Sequence, residues 1–319
     1  MTDGAATTLV TPAGGVTGDP RPRDATGTAS GLLHDSAWTR HRAKTAEIHK
    51  ALEKNGWDGE WYLRAYYDDA SPLGSSTNNE CKIDSIAQSW AVISGNANSG
   101  HAVQAMESVY RELVRVNDEM ILLFTPPFQR TPRDPGYIKG YPRGVRENGG
   151  QYTHAALWAI WAFAQLGQND RAAELFRLIN PIYHADTPEK VDRYRVEPYV
   201  VAADVYSVAP YIGRGGWTWY SGSASWMYRL GIEMILGLQR EGDCLYINPR
   251  VPGDWPEYQI NYRFGKSLYH IVVKNKEIGK TEKKQMTMDG TVLSDGFIPL
   301  SDDSKAHEIV ILFSSAEKG

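Results

Sequence analysis

The chain has 319 residues, 42% of them hydrophobic and 23% charged, with a formal charge of −4 at neutral pH. This is the composition of an ordinary soluble globular protein of one large or two moderate domains, and its mild acidity excludes a general electrostatic pull toward nucleic acid or acidic membranes. Tyr (18) and Trp (10) outnumber Phe (7), an amphipathic aromatic excess that suits stacking on half-polar rings such as sugars and is equally consistent with a Trp-rich core.

In chain order, residues 1–35 are rich in Gly, Ala, Thr, Pro and Asp and are expected to be a disordered or foreign tail. From Ser36 the pattern turns helical, with Trp38, Ala43, Ile48 and Leu52 on one loose stripe and Gly56 past its end. A polar and aromatic segment follows to Glu80. Helices are then predicted over Ile83–Ser94, closed by Gly95, and over His101–Val116. Thr125–Gln151 carries so many Pro and Gly residues that it reads as a long ordered loop, the kind that usually carries function. Tyr152–Leu166 is apolar nearly all round, which predicts a helix buried on every side, with Gly167 at its end. Arg171–Ile179, Glu197–Tyr206 and Ser223–Leu236 are further helical candidates, and no strand pattern is seen between residues 36 and 237. Beyond residue 238 the character changes. Cys244–Ile247, Tyr258–Phe264, Leu268–Lys274, Lys284–Asp289 and His307–Phe313 alternate or run apolar between turn signals such as Asp289-Gly290. The expected architecture is mainly α with a β tail: helix pairs of an α/α toroid over 36–237, then a small β-sandwich-like domain over 238–319.

Cys81 and Cys244 are the two cysteines and form no metal or redox spacing, which points to a reducing compartment, the cytoplasm. No basic start followed by an apolar core marks a signal peptide. The longest apolar run, Ala155 to Ala164, falls well short of the roughly 20 residues that span a bilayer. His154 and His184 are far apart without a third ligand pattern, so no metal is expected, and no Gly-rich nucleotide loop is present.

Two glycine-flanked polar clusters open onto helix-like runs. One is Arg146-Glu147-Asn148-Gly149-Gly150-Gln151-Tyr152-Thr153-His154; the other is Arg214-Gly215-Gly216-Trp217-Thr218-Trp219-Tyr220-Ser221-Gly222. A helix start presents unpaired N–H groups and the positive end of the macrodipole. With Arg146, Arg214, His154 and several aromatics beside them, two such starts suggest a site for an anion next to a sugar. Bidentate Arg is good anion chemistry, but either Arg can equally serve to fix its loop. His154 alone reads as anion ligand or satisfied core residue at even odds, and Ser221-Gly222 alone as a plain cap and turn. Asp58, Glu60, Asp68, Asp69, Glu80 and Asp84 form a dense carboxylate set whose simplest role is to hold Arg64, Lys82 and backbone N–H groups of an irregular loop. Asp58 and Glu80 are the best candidates among them for sugar hydroxyls. Glu197, opening a segment before Pro198, is another, and Trp57, Trp61, Trp217 and Trp219 can stack on sugar or fill the core.

These clusters, with Asn55-Gly56-Trp57-Asp58-Gly59-Glu60-Trp61-Tyr62-Leu63-Arg64-Ala65, Pro72-Leu73-Gly74-Ser75, Glu80 to Trp90, Pro135 to Pro142 and Glu197-Pro198-Tyr199-Val200, resemble glycoside hydrolase family 94, nearest its β-1,2-glucan branch. The resemblance runs from about Trp38 to Phe313. It implies an (α/α)6 barrel with a C-terminal β domain, and attack of inorganic phosphate on a β-glucoside with inversion to α-glucose 1-phosphate. It implies no cofactor beyond phosphate as co-substrate. Phosphate would be held by His154, Ser221 and Gly222, with Arg146 or Arg214 assisting; Asp58, Glu80, Trp57, Glu197 and Trp217 would meet the glucan. Ser221 stands where the family has Thr and keeps the hydroxyl. Ser225 replaces a Gly and is expected to crowd the helix start. The family's general acid, the Asp of Gly-Asp-Trp-Asn-Asp-Gly, has no counterpart here: no Trp-Asn-Asp occurs, and Gly253-Asp254-Trp255 sits in the β tail. The sequence therefore reads as the C-terminal half of the toroid and its β domain, to be completed by a separate N-terminal half, or alternatively as a non-catalytic carbohydrate-binding remnant.

Overall fold

The computed structural model describes residues 30–275 and 282–315. Residues 1–29 of the expected tail lie outside this range, and the remainder of that tail opens the first helix. Among the described residues seven α-helices follow one another: α1 (Ser30–Ala51), α2 (Ser85–Ile93), α3 (Ser99–Leu113), α4 (Thr153–Gln165), α5 (Asn169–Leu178), α6 (Pro188–Tyr194) and α7 (Ser221–Arg229). A π-helical turn extends α1 over Leu52–Gly56, and another extends α7 over Leu230–Ile235. The chain divides into two compact units. One is Ile48–Gln239 with Ile247–Gly253; the other gathers 240–246 and the described residues of 30–47 and 254–315. No helix among the described residues is long and apolar enough to cross a membrane.

The first unit is built on α4. Its buried residues are chiefly Ala155, Ala156, Leu157, Ala159, Ile160, Ala162, Phe163 and Ala164. Alanines let neighbouring backbones approach closely, and α2, α3, α5 and α7 all pack on this helix. A seam of indoles joins α2, α4 and α7: Trp90 meets Trp158 edge to face at 5.3 Å, and Trp226 meets Trp158 at 5.5 Å and Trp161 at 5.9 Å.

The irregular segments of this unit are tied by two-residue strands that the sequence pattern does not reveal: β1 (Ala65–Tyr66), β2 (Pro72–Leu73), β3 (Ile83–Asp84), β4 (Val114–Arg115), β5 (Met120–Ile121), β6 (Phe124–Thr125), β7 (Gln151–Tyr152) and β8 (Asp204–Val205). They pair as β1–β2, β3–β6, β4–β5 and β7–β8. A strand of two residues has no room to show alternation, which corrects the expectation of none between 36 and 237. The helix expected over Glu197–Tyr206 is also corrected. Its Val200, Val201 and Val205 favour extended backbone. Ala203 accepts from the Thr153 N–H at 2.8 Å and donates to Trp217 at 2.6 Å, while Tyr206 donates to Arg214 at 2.8 Å. Those ladder bonds on both sides take the groups a helix would need.

Asp204 is the fastening of this small ladder. It is 1% exposed. Its Oδ2 accepts the Arg146 N–H at 3.0 Å and its Oδ1 the Trp217 N–H at 3.3 Å. A Cβ on Gly216 would lie 2.2 Å from Asp204 Oδ1, so only glycine lets the second loop approach. Burial raises the carboxyl pKa, opposed by the N–H groups of Arg146 and Trp217.

The β-rich part comprises β9 (Leu238–Glu241), β10 (Cys244–Ile247), β11 (Glu257–Phe264), β12 (Ser267–Asn275), β13 (Glu282–Met288), β14 (Thr291–Val292), β15 (Ile298–Pro299) and β16 (Ala306–Ser315). Five strands form one sheet in the order β11-β12-β16-β13-β14, and three form another in the order β15-β10-β9. β12 and β16 run parallel; β11–β12 and β13–β16 are antiparallel. The register sets Ile260 opposite Ile271, Ile271 beside Ile309 and Val273 beside Ile311. These residues are buried, as period-two patterning requires of one covered face. Asp289 and Gly290 both have positive φ (51° and 81°) and turn β13 into β14.

His307, at the start of β16, fastens two turns of this sheet. Its Nδ1 lies 2.8 Å from Asp289 and its Nε2 3.2 Å from Asp303. A ring with a carboxylate at each nitrogen donates twice only as imidazolium. The hydrogen bond to Asp289 is the leading cause that raises its pKa. A raised folded pKa gives stability that is complete below the ordinary His value of about 6.5 and is lost as pH rises through the folded value. The thermal midpoint should therefore fall across that window, and His307→Gln should flatten the fall in melts taken at stepped pH. In the first unit, Asp204→Ala leaves two N–H groups without their acceptor and should cost about 2 kcal/mol in urea unfolding. An unchanged urea midpoint would refute the fastening role.

Candidate functional site

The two glycine-flanked clusters meet around the first turns of α4 and α7. The residues before these helices, Tyr152 and Tyr220, give no side-chain cap to the helix N–H groups. By contrast α2, α3 and α6 are capped by Asp84, Asn98 and Thr187. The segments leading into the two helices are tied through the backbone: Thr153 donates to the Ala203 carbonyl at 2.8 Å and Ala203 to the Trp217 carbonyl at 2.6 Å. Burial first, and then the neighbouring Tyr220 phenol, push the Tyr152 phenol up to about 12. Ser223, buried in the first turn of α7, donates to the Tyr220 carbonyl at 3.1 Å and to the Ala202 carbonyl at 3.5 Å.

His154 sits in the first turn of α4, half-buried, with its ring between the edges of Tyr152 (4.5 Å) and Trp158 (4.9 Å). Burial holds its pKa below the ordinary value, and the Glu147 charge opposes that shift. Arg146 has a positive φ of 50°. Its guanidinium lies over the rings of Tyr141 (5.5 Å) and Trp217 (5.4 Å) and 3.8 Å from Glu147. Arg146 Nε, Glu147 Oε2, Thr153 Oγ1 and Trp158 Nε1 are all buried without a hydrogen-bond partner among the described residues. Buried polar atoms are normally paired, and of these four Arg146 Nε and Glu147 Oε2 face each other at 3.8 Å, which makes this cluster the candidate site.

The loop carrying Arg146 is fixed from behind. Asn148, fully buried, donates to the Tyr141 and Phe128 carbonyls at 2.8 and 3.1 Å and accepts the Phe128 N–H at 2.8 Å. Ser207 donates to Gly149 at 2.7 Å, and Gln151 accepts the Ile121 N–H at 3.0 Å. The long loop predicted over Thr125–Gln151 is thus ordered, with a 3₁₀ turn over Gly136–Gly140.

Ser221 and Gly222 open α7 and are exposed. Ser225 is exposed too, so the extra side chain points away from crowding. Arg214 is exposed; its guanidinium lies 5.7 Å from the Tyr211 ring, and no contact among the described residues joins it to His154. Trp217 is exposed over Arg146. Glu197 accepts from Trp219 Nε1 at 3.3 Å. Its own backbone N–H first, then Thr218, hold its pKa below the usual carboxylate value.

The acidic set of residues 58–84 mostly serves its own loop. Asp58 accepts from the Ser75 hydroxyl at 3.0 Å and the Ser76 N–H at 2.7 Å. Glu80 accepts the N–H groups of Gln129, Arg130 and Thr131 at 2.9–3.0 Å. Burial alone would raise the Glu80 pKa, but those three donors bring it down. Asp84 pairs with Arg64 and caps α2. Trp57 stacks on His101 at 3.9 Å and packs against Tyr62. Asp58, Glu80 and Trp57 make no contact with the His154 cluster among the described residues. His184 Nε2 donates to the Leu178 carbonyl at 2.8 Å inside the core. No group of three His, Cys, Asp or Glu among the described residues is placed to hold a metal.

Asp204, Asn148, Glu147 and the Tyr152–Tyr220 pair were not singled out by sequence reasoning. A signal existed for one of them: Gly215-Gly216 demands a close neighbour, and an Asp inside the apolar run Val200–Val205 demands a partner.

The model for the glycosyl hydrolase 94 superfamily catalytic domain matches residues 29–237, from the start of α1 to the end of the helical region. Cyclic beta-(1,2)-glucan synthase NdvB of Rhizobium meliloti (strain 1021) is 51% identical over 236 residues, which are 74% of this chain and 8% of that protein. Solabiose phosphorylase of Paenibacillus borealis is 29% identical over 88% of this chain, and N,N'-diacetylchitobiose phosphorylase of Vibrio proteolyticus 28% over 84%. The chain spans 36% and 33% of the length of those two relatives. With its helical region matched throughout, the chain belongs to the glycosyl hydrolase 94 superfamily.

Proposed function

We propose that this chain carries the phosphate-binding side, and part of the glucan-binding side, of an inverting β-glucan phosphorylase or glycosyltransferase site, with a β-1,2-glucan as substrate. The observation that carries the reading is the meeting of two helix starts beside His154, tied through Ala203 and the Asp204 carboxylate, with polar atoms of Arg146, Glu147, Thr153 and Trp158 that make no hydrogen bond among the described residues. Support for the substrate class comes from the relatives: one is a cyclic β-1,2-glucan synthase, and others are phosphorylases.

In this reading His154, the Ser221 hydroxyl and the Gly222 N–H donate to phosphate, and the Arg146 charge favours it further. Arg214 is the weaker candidate, since nothing ties it to His154. Phosphate oxygen attacks the anomeric carbon from the face opposite the glycosidic oxygen, the C–O bond breaks, and an acid protonates the departing oxygen. The product is α-glucose 1-phosphate. Phosphate is the nucleophile, so one carboxylic acid suffices and no cofactor is required. This sequence holds no Trp-Asn-Asp run, and the proposal assigns the acid to residues outside it, on a separate N-terminal half. The fold reading goes with this: 36–237 as the partial (α/α)6 toroid and 238–319 as a sandwich-like β domain, acting in the cytoplasm. The missing motif also favours a second reading for the chain by itself, a glucan-binding protein without turnover.

Calorimetric titration of the purified chain with orthophosphate should show binding, weakened at least tenfold by His154→Ala, the scale of one hydrogen bond to a charged group. Absence of binding would sink the phosphate site. Phosphorolysis of a β-1,2-glucooligosaccharide, followed as glucose 1-phosphate, should be absent from the chain alone and appear on adding a polypeptide that carries the Trp-Asn-Asp motif. Release that depends on His154 without that addition would place the acid within these residues and overturn its external origin.

A further inference from the structure

Just before α7, the segment Trp217–Trp219 carries two indoles outward, and a third aromatic joins them from residue 199. Trp217 is 64% exposed, Trp219 68% and Tyr199 75%. Exposed rings that gather in one patch are the informative kind. Their arrangement is held in place. Trp219 has a positive φ of 58°, a conformation that bulky L-residues rarely adopt and that persists only where the surroundings impose it. The restraint is visible: its indole N–H is hydrogen-bonded to Glu197 at 3.3 Å, and its ring meets Tyr199 edge to face at 6.3 Å.

Glu197 accepts the Trp219 indole N–H at 3.3 Å. Its work is to lock the 197–199 segment to the 218–219 segment with two ring surfaces facing water. Hydrogen-bonded indole N–H, open π-face and polar surroundings are the chemistry that meets the C–H face of a pyranose while its hydroxyls stay wet.

We propose that Tyr199 and Trp219 form a stacking platform for a glucosyl unit of a β-linked glucan, set in place by Glu197 as a positioning residue. The platform lies two residues from Ser221, so a chain resting on it passes the start of α7. This rests on the carbohydrate reading of the site above and adds to it a glucan contact separate from phosphate. The strained backbone at Trp219 is the mark of selection for ligand contact over stability.

The test uses the full chain, titrated calorimetrically with a β-1,2-glucooligosaccharide and, separately, with orthophosphate. Trp219→Gly relieves the left-handed strain, so it should hold or raise the melting temperature while weakening the oligosaccharide about tenfold or more. Tyr199→Ala should weaken it similarly, and Trp219→Phe, which keeps a ring, should retain most of the affinity. Orthophosphate binding should be unchanged in all three. Unchanged oligosaccharide affinity in Trp219→Gly and Tyr199→Ala would overturn the platform, as would no oligosaccharide binding by the parent chain. Dimers of the parent chain that Trp219→Gly converts to monomers in sedimentation would also overturn it, making the surface a contact between copies. Trp219-dependent sugar binding without orthophosphate binding would leave the platform standing and remove the phosphate reading instead.

Discussion

The geometry at the start of α4 and α7 depends on one buried carboxylate. Asp204 takes an N–H from Arg146 with one oxygen and an N–H from Trp217 with the other. Two loops that are 71 residues apart (217 − 146) in the chain are thereby held to the same side chain. Desolvating a carboxylate is costly, and the raised pKa records it. What offsets the cost is that both acceptors are aimed at backbone donors that would otherwise be buried unpaired. The consequences spread outward. Arg146 takes a left-handed φ so that its N–H reaches Asp204, and this places its guanidinium between Tyr141 and Trp217. Gly216 must be glycine because a Cβ there would collide with the carboxylate.

A second constraint comes from α4. A helix so rich in alanine has little side-chain bulk to keep neighbours away, so α2, α5 and α7 crowd it. The volume that alanine leaves is filled by indoles at the edge, Trp158 and Trp161 against Trp90 and Trp226. The rigidity of this seam fixes where α7 begins relative to α4. The Thr153–Ala203 and Ala203–Trp217 backbone hydrogen bonds then tie together the segments that enter them. His154 stands on this frame with its ring between Tyr152 and Trp158.

Legibility in the sequence followed the length of the period. The apolar run of α4 and the alternating strands β10, β11, β12, β13 and β16 were readable because each holds several repeats of its pattern. Ends were readable where glycine marked them, as at Gly95, Gly167 and Gly237, all with positive φ. The two-residue strands were not, nor was Asp204, which sat inside a stretch that could pass for a helix. The family resemblance and the two glycine-flanked clusters were legible because they are long ordered motifs. Which carboxylates of the 58–84 set were free to meet a ligand was not legible at all. That depends on partners such as the N–H groups of 129–131, which reach Glu80 only in the folded chain.

The distribution of satisfied and unsatisfied polar atoms separates scaffold from site more sharply than residue type does. Asp58, Glu80 and Glu197 read as binding candidates in the sequence; Asp84 and Asp204 do not. In the fold each is taken up by hydrogen bonds or ion pairs within the chain. Among the described residues, eight side-chain polar atoms are buried without a hydrogen bond, and four of them belong to Arg146, Glu147, Thr153 and Trp158, the first two facing each other at 3.8 Å. A buried polar atom without a hydrogen bond costs on the order of 1–3 kcal/mol, and several of them at one helix start are hard to retain in a purely structural corner. This is the physical reason to look for the chemistry beside His154 rather than among the more numerous acidic residues upstream.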